Sequence, residues 1–115
     1  MMIRIINRMK ADVVVLAPPW GGVSYNKKEV FRLEDLPAGL DGRMLFQLAR
    51  KITKNVVFIL PRNIDRKQVA SLGEPGELVE LVEGKIEGSI KMIIAYFGNL
   101  AQANSNVHLL LFLVS

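Results

Sequence analysis

Ala17-Pro18-Pro19-Trp20 is the string in this 115-residue sequence whose composition suits chemistry, because it offers backbone acceptors on a stiff chain beside an aromatic plane. Two consecutive prolines fix φ and remove backbone donors, so the carbonyls of Ala17 or Pro18 would be held where a planar amine could reach them. Trp20 adds a stacking surface two residues beyond the first proline. Group transfer to an exocyclic amine needs such an acceptor. The nitrogen lone pair is conjugated into the ring, and holding the amine protons in place frees it for in-line attack. The protein contributes orientation more than acid–base strength. Ala17, Pro18 and Pro19 are therefore the candidate catalytic positions. Taken alone, a Pro-Pro-Trp string equally suits a rigid loop with its tryptophan laid over a core edge.

The surrounding elements decide where that string stands. Asp12-Val-Val-Val-Leu16 is a short β-branched run ended by Pro18 and Pro19, which reads as a buried strand. The candidate residues thus follow its carboxyl end, where open α/β sheets bind ligands. Gly21 to Gly39 reads as a long loop. Leu40, Met44, Leu45, Leu48 and Ile52 recur at helical spacing, with Asp41 as N-cap and Lys51 and Lys54 at the negative end of the helix dipole. Asn55 to Leu60, closed by Pro61, predicts a second strand, and strand-helix-strand implies a parallel pair. Asp65 to Leu72 predicts a short helix, with Asp65 and Gln68 at capping-box spacing and Gly73 as the stop. Glu77 to Glu83 and Ile90 to Phe97 read as two strands joined around Gly84 to Gly88. The expected fold is α/β: two parallel strands and a hairpin, with two helices.

Composition bounds the rest. The length fits one domain and is short for a complete cofactor-dependent α/β enzyme. A formal charge of +4 permits a polyanionic partner without demanding one. The absence of cysteine excludes disulfides, thiolate zinc sites and cysteine nucleophiles, and no metal site is expected. Met1 to Lys10 lacks the apolar core and cleavage site of a signal peptide. Val107 to Val114 is almost wholly apolar but far below the roughly 20 residues of a membrane-spanning helix, so no membrane partner is expected. That tail reads as a buried strand or as a segment that never packs.

Four blocks in order carry a family resemblance. Ala11-Asp-Val-Val-Val-Leu-Ala-Pro-Pro-Trp-Gly-Gly-Val-Ser-Tyr25 resembles the motif of trimethylguanosine synthases, the RNA cap guanine-N2 methyltransferases. Lys51 to Asn63, Gln68 to Leu72 and Ile90 to Gly98 resemble further blocks of that family, and together they cover roughly Lys10 to Leu100. The resemblance implies the C-terminal half of a partial Rossmann-like, S-adenosylmethionine-dependent methyltransferase fold. It also implies methyl transfer to the 2-amine of a 7-methylguanosine cap on small nuclear or nucleolar RNA. Trp20 would stack on the positively charged base, a contact worth up to ~2 kcal/mol when desolvated. Tyr25, Arg62 and Lys91 match the residues that hold the cap phosphates, and their donor chemistry fits. Asn63 is a further candidate ligand, or else an N-cap for the following helix. Lys27, Lys28 and Arg32 add loop charge that a solvated surface explains equally well.

Each of these positions also has an ordinary reading. Tyr25 could be solvated, Arg62 could pair with Asp65 or Glu74, and Lys91 should lie at an exposed strand end or face an opposite charge. Two departures from the family pattern stand out: Ala17 where the family usually has serine, and Val23 where it has proline. A donor site in this fold class needs a Gly-rich turn after an early strand, and the sequence contains no Gly-x-Gly. The expectation is therefore a chain with cap-recognition elements but without the S-adenosylmethionine-binding half. The Asp12–Leu16 strand would then be an apolar edge open to pairing with the amino-terminal segment or another chain. A non-enzymatic cap-binding module and an amino-methyltransferase for adenine or protein glutamine are the alternatives. Nuclear residence, in nucleolus or Cajal body, follows from the resemblance, with cytoplasmic residence also compatible.

Overall fold

A computed structural model describes residues 12–100 and the backbone of 109–113. Five strands form one sheet: β1 Val13–Ala17, β2 Val56–Pro61, β3 Glu80–Ile86, β4 Ser89–Tyr96 and β5 Leu109–Leu113, in the order β3-β4-β2-β1-β5. The β-branched runs pair as expected, β1 parallel to β2 with Val14 beside Val56 and Leu16 beside Phe58. On its other side β1 pairs, also in parallel, with β5 along its whole length, from Val13 beside Leu109 to Ala17 beside Leu113. The expected open edge at Asp12–Leu16 is therefore corrected: the apolar carboxyl-terminal segment covers it. The edge moves outward to β5.

Between β1 and β2 lie two 3-10 turns, Gly22–Lys27 and Leu33–Asp35, and helix α1, Gly42–Arg50. Asp41 caps α1 by accepting from the Arg43 amide at 2.9 Å. Its buried stripe runs through Gly42, Phe46 and Ala49, while Met44 is 61% exposed and leaves the expected apolar face. At about 100° per residue, a position two before Phe46 points away from it. Helix α2, Arg66–Ala70, begins at Asp65, which accepts from the Gln68 amide at 3.2 Å. This corrects Asn63 as the cap. Only half of the expected capping box forms, because the Gln68 side chain turns elsewhere.

The core lies on one face of the sheet. Val56, Phe58 and Leu60 of β2 and Ile93 and Ala95 of β4 are buried with Phe46 of α1, Val69 of α2 and Phe31, Leu33 and Leu36 of the loop. Phe58 stands opposite Ala95 and Leu60 opposite Ile93, so the period-two alternation of both strands serves the same face. The alternate residues Val57, Ile59, Ile94 and Tyr96 are half-buried.

β3 starts three residues later than expected, at Glu80, while β4 starts one residue earlier, at Ser89, and the turn falls within the expected Gly84–Gly88 connection. Gly84 lies inside β3 at a register irregularity, where a Cβ would meet the Met92 side chain at 2.5 Å. The turn is made by Glu87 and Gly88, with φ of 52° and 80°, the paired positive angles of a tight hairpin turn. Glu77 is drawn out of the strand by Arg50. The guanidinium donates to both Glu77 oxygens and to the Lys54 carbonyl at 2.7 Å, and lies 5.0 Å over the Phe46 ring. Arg50 and Glu77 are mostly buried, at 16% and 14% exposure. The hydrogen bond from Arg50 pulls the Glu77 carboxyl down from 4.5 to about 2, with amide bonds from Glu74 and Gly98 adding to it against the opposing effect of burial.

Candidate functional site

The carboxyl ends of β1 and β2 form a lip. Pro18 is buried, and Pro19 and Trp20 are half-buried. The two prolines bring carbonyls and no amide hydrogens, so this stretch of backbone is rich in acceptors. The Trp20 indole NH reaches toward the Ile59 carbonyl of β2 at 3.4 Å, laying the ring across from β1 to β2. Tyr25 meets Trp20 nearly perpendicularly, ring centroids 5.3 Å apart, and its other neighbour is Phe31 at 6.5 Å. The pair packs against the core without being enclosed by it. Tyr25 is thus an aromatic wall beside Trp20, and no protein partner holds its hydroxyl among the described residues.

The loop carrying Tyr25 is fastened to the β2–α2 connection at many points. Arg62 donates to the Asn26 side chain at 2.8 Å, and the Asn63 amide donates to the carbonyls of Tyr25 and Lys28. Phe31 donates its amide to the Asn63 carbonyl and accepts from the Asp65 amide, both at 2.8 Å. Further along, Gln68 is buried at 6% exposure. It accepts from the Leu33 amide at 2.7 Å and donates to Glu34. Glu34 also receives Arg32 and Arg43, and the bond from Arg32 lowers its pKa, with the Gln68 bond adding to it against the opposing effect of burial.

The cations of this region differ in what they meet. Lys28 pairs with Asp35 at 3.7 Å, and Arg32 with Glu34 and Asp65. Arg62 has no carboxylate partner among the described residues, so neither Asp65 nor Glu74 takes it. Of the arginines there, Arg32, Arg43, Arg50 and Arg66 are all ion-paired and Arg62 alone is not. Lys91 is exposed near the start of β4 and likewise has no ion pair, as expected for a lysine at a strand's wet end. The β2–β4 ladder ends with Pro61 opposite Met92, so Arg62 follows the last paired residue of β2 and Lys91 precedes that of β4. Neither cation has an ion pair among the described residues.

A family model described as RNA cap guanine-N2 methyltransferase matches residues 3–100. The chain belongs to the RNA cap guanine-N2 methyltransferase family. It is 40% identical over 87 residues to trimethylguanosine synthase of Schizosaccharomyces pombe, an alignment spanning 75% of this chain and 36% of that protein. It is 32% identical over 65 residues to trimethylguanosine synthase of Saccharomyces cerevisiae, spanning 56% of this chain and 21% of that protein. The chain thus spans about a third or less of the relatives it matches. The mixed α/β sheet is compatible with a partial Rossmann-like methyltransferase fold.

Within this family member the Trp20 and Tyr25 rings meet directly, Asn63 holds the Tyr25 carbonyl and Arg62 reaches the neighbouring Asn26, while Lys91 makes no hydrogen bond or ion pair with any of them. Ala17 ends β1 as a half-buried residue whose side chain, a methyl group, can accept nothing. Asn26, Glu34 and Gln68 were missed as parts of the site's support. The Gln68 side chain had a signal in the sequence, a polar residue opposite the exposed face of a short helix, but its partners in the loop come from more than thirty residues away. No helix among the described residues is long and apolar enough to cross a membrane. No cluster of three metal-ligating side chains occurs among them either.

Proposed function

We propose that this chain recognises the 7-methylguanosine cap of small nuclear or nucleolar RNA and presents its 2-amine for methylation. Arg62 carries the reading. An arginine fork left without a carboxylate, where every other described arginine has one, suits phosphate oxygens. Lys91 and the Tyr25 hydroxyl add donors for the phosphate chain. Trp20 supplies the plane on which the cationic base stacks. The carbonyls of Ala17 and Pro18, with Pro19 stiffening the chain, take the amine protons in place of the serine side chain the family usually offers.

The methyl donor of the whole enzyme is S-adenosylmethionine, and the described residues do not fit it. Its ribose needs a free carboxylate and its approach needs a Gly-rich turn after a strand. At this lip Glu34, Asp35 and Asp65 are all committed to cations or to a helix cap, and β1 and β2 run into prolines. That mismatch also favours a second reading, a non-enzymatic cap-binding module that uses the same aromatic pair and cations. Partner chains have two places to join, the outer edges of β3 and β5, which have no neighbour there among the described residues. Residence in the nucleus accompanies the RNA substrate.

Titration with capped dinucleotide, with and without S-adenosylmethionine, tests the proposal. Cap affinity is expected, and cap affinity without donor affinity selects the module reading. No cap affinity at all would leave an amino-methyltransferase for another substrate. Trp20→Ala should weaken binding to the 7-methylguanosine cap more than to the unmethylated cap; equal losses would remove the cation–π argument.

A further inference from the structure

The Gly22–Lys27 turn that carries Tyr25 is weakly specified at its own start. Gly21 and Gly22 take left-handed φ of 95° and 60°, and no side chain caps its first turn. Its geometry is fixed from outside, and Asn63 does most of that fixing. Both Asn63 Nδ2 hydrogens are used, one on the Tyr25 carbonyl and one on the Lys28 carbonyl, each at 3.0 Å. The two acceptors bracket the end of the turn. The other side-chain atom, Oδ1, is buried with no hydrogen-bond partner. That asymmetry settles which way the amide points: turned over, Oδ1 would face two carbonyls and both bonds would be lost. The Asn63 backbone carbonyl meanwhile accepts from Phe31, whose ring is Tyr25's second aromatic neighbour.

We propose that Asn63 is a positioning residue that touches no ligand and sets the Trp20–Tyr25 pair by holding the Tyr25 and Lys28 carbonyls. The ligand's identity rests on the cap-binding reading above; the positioning itself does not. A short chain of contacts carries the effect, from the Asn63 amide to the Tyr25 backbone, then through the Tyr25 ring to Trp20 at 5.3 Å. Arg62 adds a second fastening at Asn26, so the residue that faces phosphate and the one that sets the rings are neighbours in sequence.

The test uses the chain's single tryptophan as an internal probe. Asn63→Asp keeps the shape but has no donor and sets a carboxylate against two carbonyls; Asn63→Ala removes the donor without adding charge. Acrylamide quenching of Trp20 should rise in both variants, more in Asn63→Asp. Affinity for 7-methylguanosine triphosphate should fall about tenfold, the scale of two lost hydrogen bonds between neutral groups. Unchanged quenching in folded variants overturns the proposal even where wild type binds the cap analogue. A wild type that ignores the analogue while the variants alter quenching sinks the cap reading and leaves the positioning standing. Should both variants fail to fold, the wild-type Asn63 side-chain amide protons decide: slow exchange with solvent is expected, and fast exchange overturns the proposal.

Discussion

Replacing Glu77 by glutamine isolates the one strongly perturbed carboxylate in the fold. Glu77→Gln keeps the volume and an acceptor oxygen but removes the charge that Arg50 faces, leaving a guanidinium only 16% exposed with the Lys54 carbonyl and the Phe46 and Phe97 rings. A pKa lowered from 4.5 to about 2 corresponds to about 3 kcal/mol of folding stability at neutral pH. The sign follows from the direction of the shift. Because the folded carboxyl is the stronger acid, its contribution is complete above about pH 5, falls to about 1 kcal/mol at pH 3, and vanishes below about pH 2. Urea unfolding followed by circular dichroism at pH 7, 5 and 3 should therefore show wild type ahead of the variant by about 3 kcal/mol at the first two and much less at the last. Other carboxylates, Glu34 among them, titrate in both proteins and cancel in the difference. A gap under about 1 kcal/mol at pH 7, or one that does not narrow with acid, would refute the claim that this pair ties the segment before β3 to α1.

Two further perturbations probe different terms. Arg62→Ala and Lys91→Ala should each weaken binding of capped dinucleotide and lower the slope of log affinity against log salt by about one, measured by titration at several salt concentrations; Lys28→Ala, whose charge is shared with Asp35, should change the slope less. Gly98→Ala should destabilise by more than about 2 kcal/mol in thermal unfolding, because φ is 79° and the added Cβ would meet Asn55 Oδ1 at 2.4 Å and the Lys54 carbonyl at 2.6 Å. Gly76→Ala, at φ 82° with open space around it, should cost only about 1 kcal/mol.

What the sequence made legible is what depends on local pattern. The runs Val13–Leu16 and Val56–Leu60 are β-branched and end at prolines, and they pair as parallel strands; Asp41 and Asp65 cap the helices they precede. Met44 was misplaced because periodicity locates an apolar stripe without saying which side of it meets the sheet. β3 starts three residues later than expected for a related reason: the period-three pattern from Glu77 suits neither helix nor strand, and Arg50, 27 residues earlier, claims Glu77 for itself. The site shows the same division. Trp20, Arg62 and Lys91 were nameable from residue type and family resemblance, whereas the scaffold that holds the Tyr25 loop depends on bonds of Asn63 and Gln68 to residues 35 to 38 positions away.

The placement of charge at the lip bears on the proposed ligand as well. Surface ion pairs contribute little stability, so Arg62 loses almost nothing by lacking a carboxylate. The acids of this region do not answer it either: Asp65 is held by Arg32 and caps α2, and Asp35 is held by Lys28. The Trp20 indole is only half-buried, with an aromatic neighbour fixing its edge. Under the proposed cap reading, a planar group joined to a chain of negative charge would use both features, and the positive charge of a 7-methylated base would favour the Trp20 plane.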